Sequence, residues 1–302
     1  MITSQSVVVF GKDGQLGKAF QNILSQYPNV VFIGRQECDL TMSDQIQEVL
    51  EKFRPQIIIN AAAYTAVDKA EEEFDLSFQI NSFAPKIMAE YISQVIDGKF
   101  IHYSTDYVFD GIKQTPYLEN DTPNPLGKYG ESKLLGENFI KEVFEKNANQ
   151  SSKYFILRTS WVYGDGANFI KTILNLAQKR DLLKVIHDQY GTPTSTEWLA
   201  KITLELIGGN PSSGIYNTVV DGETSWYGLA ELAIEFAKFN GLNEIGDNLK
   251  VIPIPAVEYP LPAARPNNSR LNNNKLKQVL QIKVFPEWKE QVRDYVKKLV
   301  TK

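Results

Sequence analysis

The sequence predicts an α/β fold built on a doubly wound parallel sheet, and three observations point to it. Short β-rich runs, apolar nearly throughout, alternate with longer stretches whose apolar residues recur at helical spacing. Strands that are apolar on both sides belong in a parallel sheet covered on both faces. A glycine-rich turn links the first such run to the first helical stretch, and right-handed crossovers then bring ligands to the carboxyl ends of the strands.

Taken in order, Val7–Phe10, Val30–Ile33, Ile57–Asn60, Phe100–Ser104 and Tyr154–Thr159 read as buried strands. Between them Gln15–Gln26, Ser43–Phe53, Phe74–Ile96 and Tyr129–Lys146 read as helices. Past residue 165 the pattern loosens. Helical runs at Asn168–Lys179, Thr196–Ile207 and Ser225–Asn240 alternate with short strands near Val185, Tyr216 and Val251. A Pro-rich stretch, Ile252–Pro266, leads to a final helix at Trp288–Val300. No low-complexity linker separates the halves, so a smaller α/β substrate lobe is expected to interleave with the first. The dinucleotide-binding part is placed at residues 1–165 with parts of 180–250, and the second lobe at 166–180 and 251–302 with intervening loops.

Composition excludes several classes. The chain has 302 residues, 43% hydrophobic and 23% charged, with a net charge of -4, which disfavours a general nucleic-acid binder. No apolar run approaches the roughly 18–20 residues of a membrane span, and the opening Met1-Ile2-Thr3-Ser4-Gln5-Ser6 has no basic n-region. Cys38 is the single cysteine and His102 and His187 the only histidines, which rules out an internal disulfide and argues against a Cys/His zinc site. A soluble, cytoplasmic chain is expected. Residues 261–302 hold 10 Lys/Arg against 3 Asp/Glu, either a solvated basic helix or a cationic rim for a small anionic ligand.

Gly11-Lys12-Asp13-Gly14-Gln15-Leu16-Gly17 follows the first strand and opens the first helix. That context points backbone N–H groups and a positive helix end at a docking pyrophosphate, in a Rossmann-like manner. The spacing is G-x-x-G-x-x-G, not the G-x-G-x-x-G of many dinucleotide sites, and it is not a P-loop. Gly11, Gly14, Gln15, Leu16 and Gly17 are therefore cofactor candidates. The second strand ends in Gly34-Arg35, where NAD enzymes carry an acidic ribose reader. Arg35 suits a 2′-phosphate better than a 2′-hydroxyl, which favours NADPH. Glu37 is near enough to compete, so NADH stays open. Asp39 is an adenine-edge or turn residue, with Leu40 beside it.

The fourth strand runs into Thr105, and Tyr129-Gly130-Glu131-Ser132-Lys133 follows 24 residues on. Tyr129 and Lys133 are four apart, on one helical face. A phenol of pKa near 10 is a poor acid–base group at neutral pH, and a nearby ammonium is expected to lower it. Thr105, at the strand end, can hydrogen-bond a carbonyl or alkoxide oxygen.

These three elements resemble the extended short-chain dehydrogenase/reductase superfamily. More of the chain is similar to one branch, the dTDP-4-dehydrorhamnose reductase family. The similarity rests on Asn60–Glu71, on Ser104-Thr105-Asp106-Tyr107-Val108-Phe109-Asp110-Gly111 and on Arg158-Thr159-Ser160-Trp161-Val162-Tyr163-Gly164. It continues through Asp188-Gln189-Tyr190-Gly191-Thr192-Pro193-Thr194 and Arg265-Pro266-Asn267-Asn268-Ser269-Arg270-Leu271. The resemblance implies hydride reduction of the C4 ketone of dTDP-4-dehydro-L-rhamnose. It makes Tyr129 the proton donor, Lys133 its tuner and the holder of the nicotinamide ribose, and Thr105 the orienting hydroxyl. Ala61, Ala62, Ala63 and Tyr64 would pass beside the cofactor. Val67, Asp68, Asp106, Tyr107, Trp161, Arg265 and Asn268 would line the substrate cleft, with Arg265 offering a planar fork to the diphosphate.

The chain departs from the family in two places. Asn217 stands where the family more often has His, and Lys18-Ala19 stands where some relatives carry an acidic residue of a metal-bridged dimer. Glu197 alone is insufficient, so no metal is predicted, and a homodimer is left open. Thr105-Asp106-Tyr107 lacks the Asp-Glu pair of nucleotide-sugar 4,6-dehydratases. A reductase of a related keto sugar, or a non-catalytic regulatory subunit, remains the alternative, the latter disfavoured by the intact Thr105/Tyr129/Lys133 set.

Overall fold

The protein was analysed as a computed structural model, which describes residues 5–147, 151–242 and 244–301. Three strands with intervening helices open the chain: β1 (Val7–Phe10), α1 (Gln15–Leu24), β2 (Val30–Ile33), α2 (Ser43–Phe53) and β3 (Ile57–Asn60). After these come α3 (Phe74–Phe78), α4 (Ala84–Ile92), β4 (Lys99–Thr105), α5 (Lys128–Lys146) and β5 (Lys153–Thr159). The later elements are β6 (Val162–Tyr163), α6 (Phe169–Ala177), β7 (Leu182–Ile186), β8 (Tyr190–Gly191), β9 (Thr194–Ser195), α7 (Thr196–Gly209) and β10 (Gly214–Asn217). The last are β11 (Thr224–Ser225), α8 (Trp226–Phe239), β12 (Lys250–Ile254), α9 (Asn274–Leu280) and α10 (Trp288–Val300).

The central sheet has six parallel strands in the order β10-β5-β4-β3-β1-β2. The winding reverses between β1 and β3, which is where a doubly wound sheet opens its ligand crevice. One face is covered by α2, α4 and α5 through Val8, Phe10, Ile58, Phe100 and Ile156. The other packs Val7, Val9, Ile59, Ile101 and Phe155 in the large core that also holds residues of α1, α6, α7, α8 and α10. Outside the central sheet, β7 and β12 pair in parallel along five residues.

The predicted single helix Phe74–Ile96 is interrupted. A π-helical turn, Gln79–Phe83, separates α3 from α4. Pro85 enters at the first turn of α4, where its missing N–H does no harm. Within the turn the Asn81 side chain accepts from Tyr64 N–H (2.9 Å) and donates to Tyr64 C=O (3.0 Å) and Ser132 Oγ (3.0 Å). The break thus ties the loop after β3 to α5. Gly136 lets α5 approach, since a Cβ there would stand 2.2 Å from the Asn81 carbonyl oxygen.

Candidate active site

A cavity of about 970 Å³ opens at the carboxyl ends of β1 to β5. Its wall at the switch point is set by sterics. Gly11 has φ +87°, and a Cβ on it would lie 2.6 Å from Ala62 N, so the turn after β1 and the loop after β3 touch backbone to backbone. A Cβ on Gly17 would reach 2.0 Å from the Gly11 oxygen. Gly14 differs: a Cβ there meets nothing closer than 3.4 Å, so it borders the cavity without being required by the protein's own packing. No side chain caps α1 at Gly14, and no acidic residue occupies its first turn. This is the donor set of an anion site.

Of the residues singled out from sequence, Gly11, Gly14, Gln15, Leu16, Arg35, Asp39, Leu40, Ala61, Ala62, Ala63, Tyr64 and Val67 line this cavity, as do Thr105, Asp106, Tyr107, Tyr129, Lys133 and Trp161. Gly17, Asp68, Arg265 and Asn268 are not in its lining. Gln15 turns its Oε1 toward Gly164 N–H (2.8 Å), pinning the start of α1 to the loop after β6. Asp39 is a turn residue, accepting from Thr41 N–H (3.0 Å) and Thr41 Oγ1 (2.9 Å). Glu37, the competing ribose reader, accepts from Gly34 N–H (2.9 Å) and pairs with Lys12, which holds its carboxyl below the usual range. Arg35 remains exposed at the cavity edge.

Asp68 and Arg265, each expected to face a ligand, face one another: the guanidinium donates to both carboxylate oxygens at 3.0 and 2.8 Å. Both act electrostatically on Tyr107, which lines the cavity. Asn268 is buried and fully engaged, donating to the carbonyls of Lys113 (2.6 Å) and Thr115 (3.0 Å) and accepting from Arg270. It positions the 113–115 loop. Glu197 is paired with Lys298 (2.7 Å), and among the described residues no three His, Cys, Asp or Glu side chains are grouped to hold a metal ion. Nor, among them, is any helix long and apolar enough to cross a membrane.

At the cavity floor, Thr105 ends β4 and Tyr129 opens α5, its ring edge-on to Tyr107 at 5.6 Å. Gly130 makes the approach feasible, because a Cβ there would sit 2.2 Å from the Tyr107 oxygen. Burial pushes the Tyr129 phenol up to about 12, the Thr105 hydroxyl pulling back and Asp106 adding to the rise. Burial also pushes the Lys133 amine down to about 7, opposed by Glu137. Burial thus pushes the phenol and the amine each towards its neutral form. Asp106 is pushed up to about 7 by burial, with the hydroxyls of Ser269 and Thr105 beside it. Asp106 Oδ2 and Thr159 Oγ1 are buried without a hydrogen-bond partner among the described residues.

Two residues of the site have no motif signal. Trp226, at the start of α8, stacks on Trp161 at 3.6 Å and 11°. Trp161 itself has φ +47°, and a Cβ on Gly191 would run into its ring at 2.5 Å. The second is Asn81, whose tertiary role is described above; a polar residue in an apolar helical stretch was its one visible mark.

Comparisons with known proteins agree with this geometry. A family model described as the RmlD substrate binding domain matches residues 5–301. A dTDP-4-dehydrorhamnose reductase of Shigella flexneri is 40% identical over 305 residues, covering 98% of each chain. The chain belongs to the dTDP-4-dehydrorhamnose reductase family. Within that family, the crystal structure from Clostridium acetobutylicum superposes with a TM-score of 0.87 at 38% identity, over 97% of this chain and 99% of that one. The Bacillus anthracis reductase, solved in complex with NADP, gives 0.86 at 34% identity over 96% and 98%. The family match covers both the sheet and the loops that carry Trp161 and Arg265, so it reaches beyond the dinucleotide motif.

Proposed function

We infer that this chain reduces the C4 ketone of dTDP-4-dehydro-L-rhamnose to dTDP-L-rhamnose with NADPH. The observation that carries the reading is the Thr105, Tyr129 and Lys133 set, Thr105 and Lys133 buried and Tyr129 half-buried, on the floor of a cavity whose wall is the glycine turn. The residues fit the cofactor: Gly14 leaves space that the protein does not fill, and the uncapped start of α1 faces an anion. Gly11, Gly14 and Leu16 hold the pyrophosphate while Gly17 lets the turn close on Gly11, Arg35 with Lys12 nearby suits a 2′-phosphate, and Ala61 to Tyr64 flank the dinucleotide. NADPH, when bound, supplies the hydride.

The chain's own part is to orient the ketone and supply a proton. Thr105 Oγ1 donates to the carbonyl oxygen, and the phenol of Tyr129, raised above its ordinary value by desolvation, gives its proton to that oxygen as negative charge develops. Lys133 holds the nicotinamide ribose. The unpartnered Asp106 Oδ2 and Thr159 Oγ1 match hydroxyls of a sugar, and the Trp161–Trp226 stack forms its apolar wall. On this reading the central sheet with β10 and α7 carries the cofactor. The loops holding Trp161, Gly191 and Arg265 face the dTDP-sugar, and the cytoplasm, where such activated sugars are made, is the place of action.

The test follows NADPH absorbance on mixing the protein with dTDP-4-keto-6-deoxyglucose, with and without a 3,5-epimerase. Oxidation should require the epimerase and fall by about 10²–10⁴ in Tyr129→Phe. Retained NADPH binding without oxidation of either keto sugar would sink the assignment.

A further inference from the structure

Where β2 stops at the edge of the cavity, charges of both signs gather around one glycine. Gly34 is buried at the place where an acidic ribose reader would project from the strand end. A Cβ there would lie 2.8 Å from Lys12 Cε and 2.2 Å from Asp13 Oδ2, so two side chains of the glycine turn rest on it. Glu37 completes the group: its Oε2 accepts from Gly34 N–H at 2.9 Å, and its Oε1 accepts from the Lys12 ammonium. Arg35 stands beside them, exposed at the cavity edge.

These groups differ in how firmly they are held. Lys12 N–H donates to the Ile33 carbonyl at 3.2 Å, and the Lys12 carbonyl accepts from Gln21 Nε2 at 2.7 Å, so its backbone is fixed and its side chain alone can turn. The Lys12 and Glu37 side chains are 27% and 41% exposed, a pair that water screens and that is given up at little cost. Glu37 is anchored more firmly. Glu37 N–H and Cys38 N–H return to the Gly34 carbonyl at 3.2 and 3.0 Å, and the bond from Gly34 N–H to the carboxylate does not involve Lys12. A 2′-phosphate, carrying roughly −1.5 to −2 charges at neutral pH, has to take the ammonium from Glu37 and leaves an anchored carboxylate unpaired. A 2′-hydroxyl has no charge and leaves the pair as it stands.

We propose that Glu37 determines the specificity between the two nicotinamide dinucleotides. By holding Lys12 it withholds one of the two cations, Lys12 and Arg35, that a 2′-phosphate meets here, and so restrains the preference for NADPH while leaving the affinity for NADH untouched. The proposal rests on the cofactor half of the function inferred above and is independent of which ketone is reduced. It assigns opposite effects to the two members of one ion pair: Lys12 favours NADPH and Glu37 opposes it. The charge of Glu37 can be removed without opening the turn, because the amide oxygen of a glutamine accepts from Gly34 N–H as the carboxylate does.

The test measures binding of NADPH and NADH by fluorescence with no sugar nucleotide present, and binding of adenosine 2′,5′-bisphosphate and adenosine 5′-monophosphate by calorimetry. Glu37→Gln should tighten NADPH and the bisphosphate about tenfold, while NADH and the monophosphate move by less than about twofold. Lys12→Met should weaken NADPH by a similar factor. Adding Glu37→Gln to it should then recover little, because the cation that the change releases is gone. Equal shifts for the phosphorylated and unphosphorylated ligands in Glu37→Gln would make Glu37 a structural residue of the turn and overturn the proposal, as would no shift at all. A gain that persists in full in the Lys12→Met background also overturns it, since Glu37 would then act by repulsion alone. None of these measurements needs the ketone. A failure of the reductase reading is therefore seen separately, as absent NADPH oxidation in a protein whose cofactor affinities still follow this pattern.

Discussion

At the cavity floor Thr105, Asp106 and Lys133 sit buried beside the half-buried Tyr129, whereas at the rim Asp68 with Arg265 and Lys12 with Glu37 lie part-exposed in ion pairs. The floor is preorganised. Its polar atoms are either engaged in directional bonds or left without a protein partner, as Asp106 Oδ2 and Thr159 Oγ1 are. The rim cations are neutralised by the protein and must exchange a carboxylate for a ligand phosphate to act. Burial makes the floor's groups costly and their protonation states abnormal, while the rim exchanges partners at small cost because water screens it.

Removing one ion-pair partner in each region should show the largest difference. Arg158 and Glu137, just behind the floor, are 1% and 0% exposed, and Ser104 Oγ also donates to Glu137. Arg158→Ala leaves that carboxylate buried and unpaired, which should cost about 3–5 kcal/mol in urea denaturation. Arg265→Ala, at the rim, should cost under about 1 kcal/mol. Replacing Arg158 and Glu137 together with Met and Leu should recover much of the loss. Equal costs for Arg158→Ala and Arg265→Ala would erase the distinction between floor and rim.

A smaller effect separates the two members of the rim pair. If Arg265 leaves Asp68 to grip the diphosphate, Arg265→Ala should raise the KM for the dTDP-sugar about tenfold, near 1.4 kcal/mol, with kcat little changed. Asp68→Ala frees the guanidinium and should lower KM or leave it unchanged. If both variants raise KM alike, the pair is structural and the sugar nucleotide is held elsewhere.

The same contrast explains what could be read from sequence. Val7–Phe10, Ser43–Phe53 and Trp288–Val300 match their predicted bounds because local apolar spacing decides them. The glycine turn and the Tyr129/Lys133 spacing are local too. The π-turn at Gln79–Phe83 was not visible, because Asn81's partners Tyr64 and Ser132 lie 17 and 51 residues away. The Asp68–Arg265 bond spans 197 residues, and the Trp161–Trp226 stack likewise depends on the fold closing. Lys133's position on the helix face could be read from spacing, but its burial, which pushes the amine down, could not, since burial is a property of the finished core.

The floor's abnormal acid gives the sharpest sign. Asp106 is raised to about 7 in the folded protein, against roughly 3.9 for an unfolded aspartate. Between those values the native state binds the extra proton, so the stability contributed by this site falls as pH rises and is lowest above about pH 7. Lys133, lowered to about 7, works in the opposite sense above that pH, where the unfolded chain binds more protons and stability recovers towards pH 10. Asp106→Asn removes the first effect and leaves the second. The variant should melt a few degrees above the wild type at pH 8, and the two should converge near pH 4, where the wild-type carboxyl is already neutral. A variant destabilised equally at both pH values would mean that the Asp106 carboxylate is compensated inside the folded protein, and that the floor is no more strained than the rim.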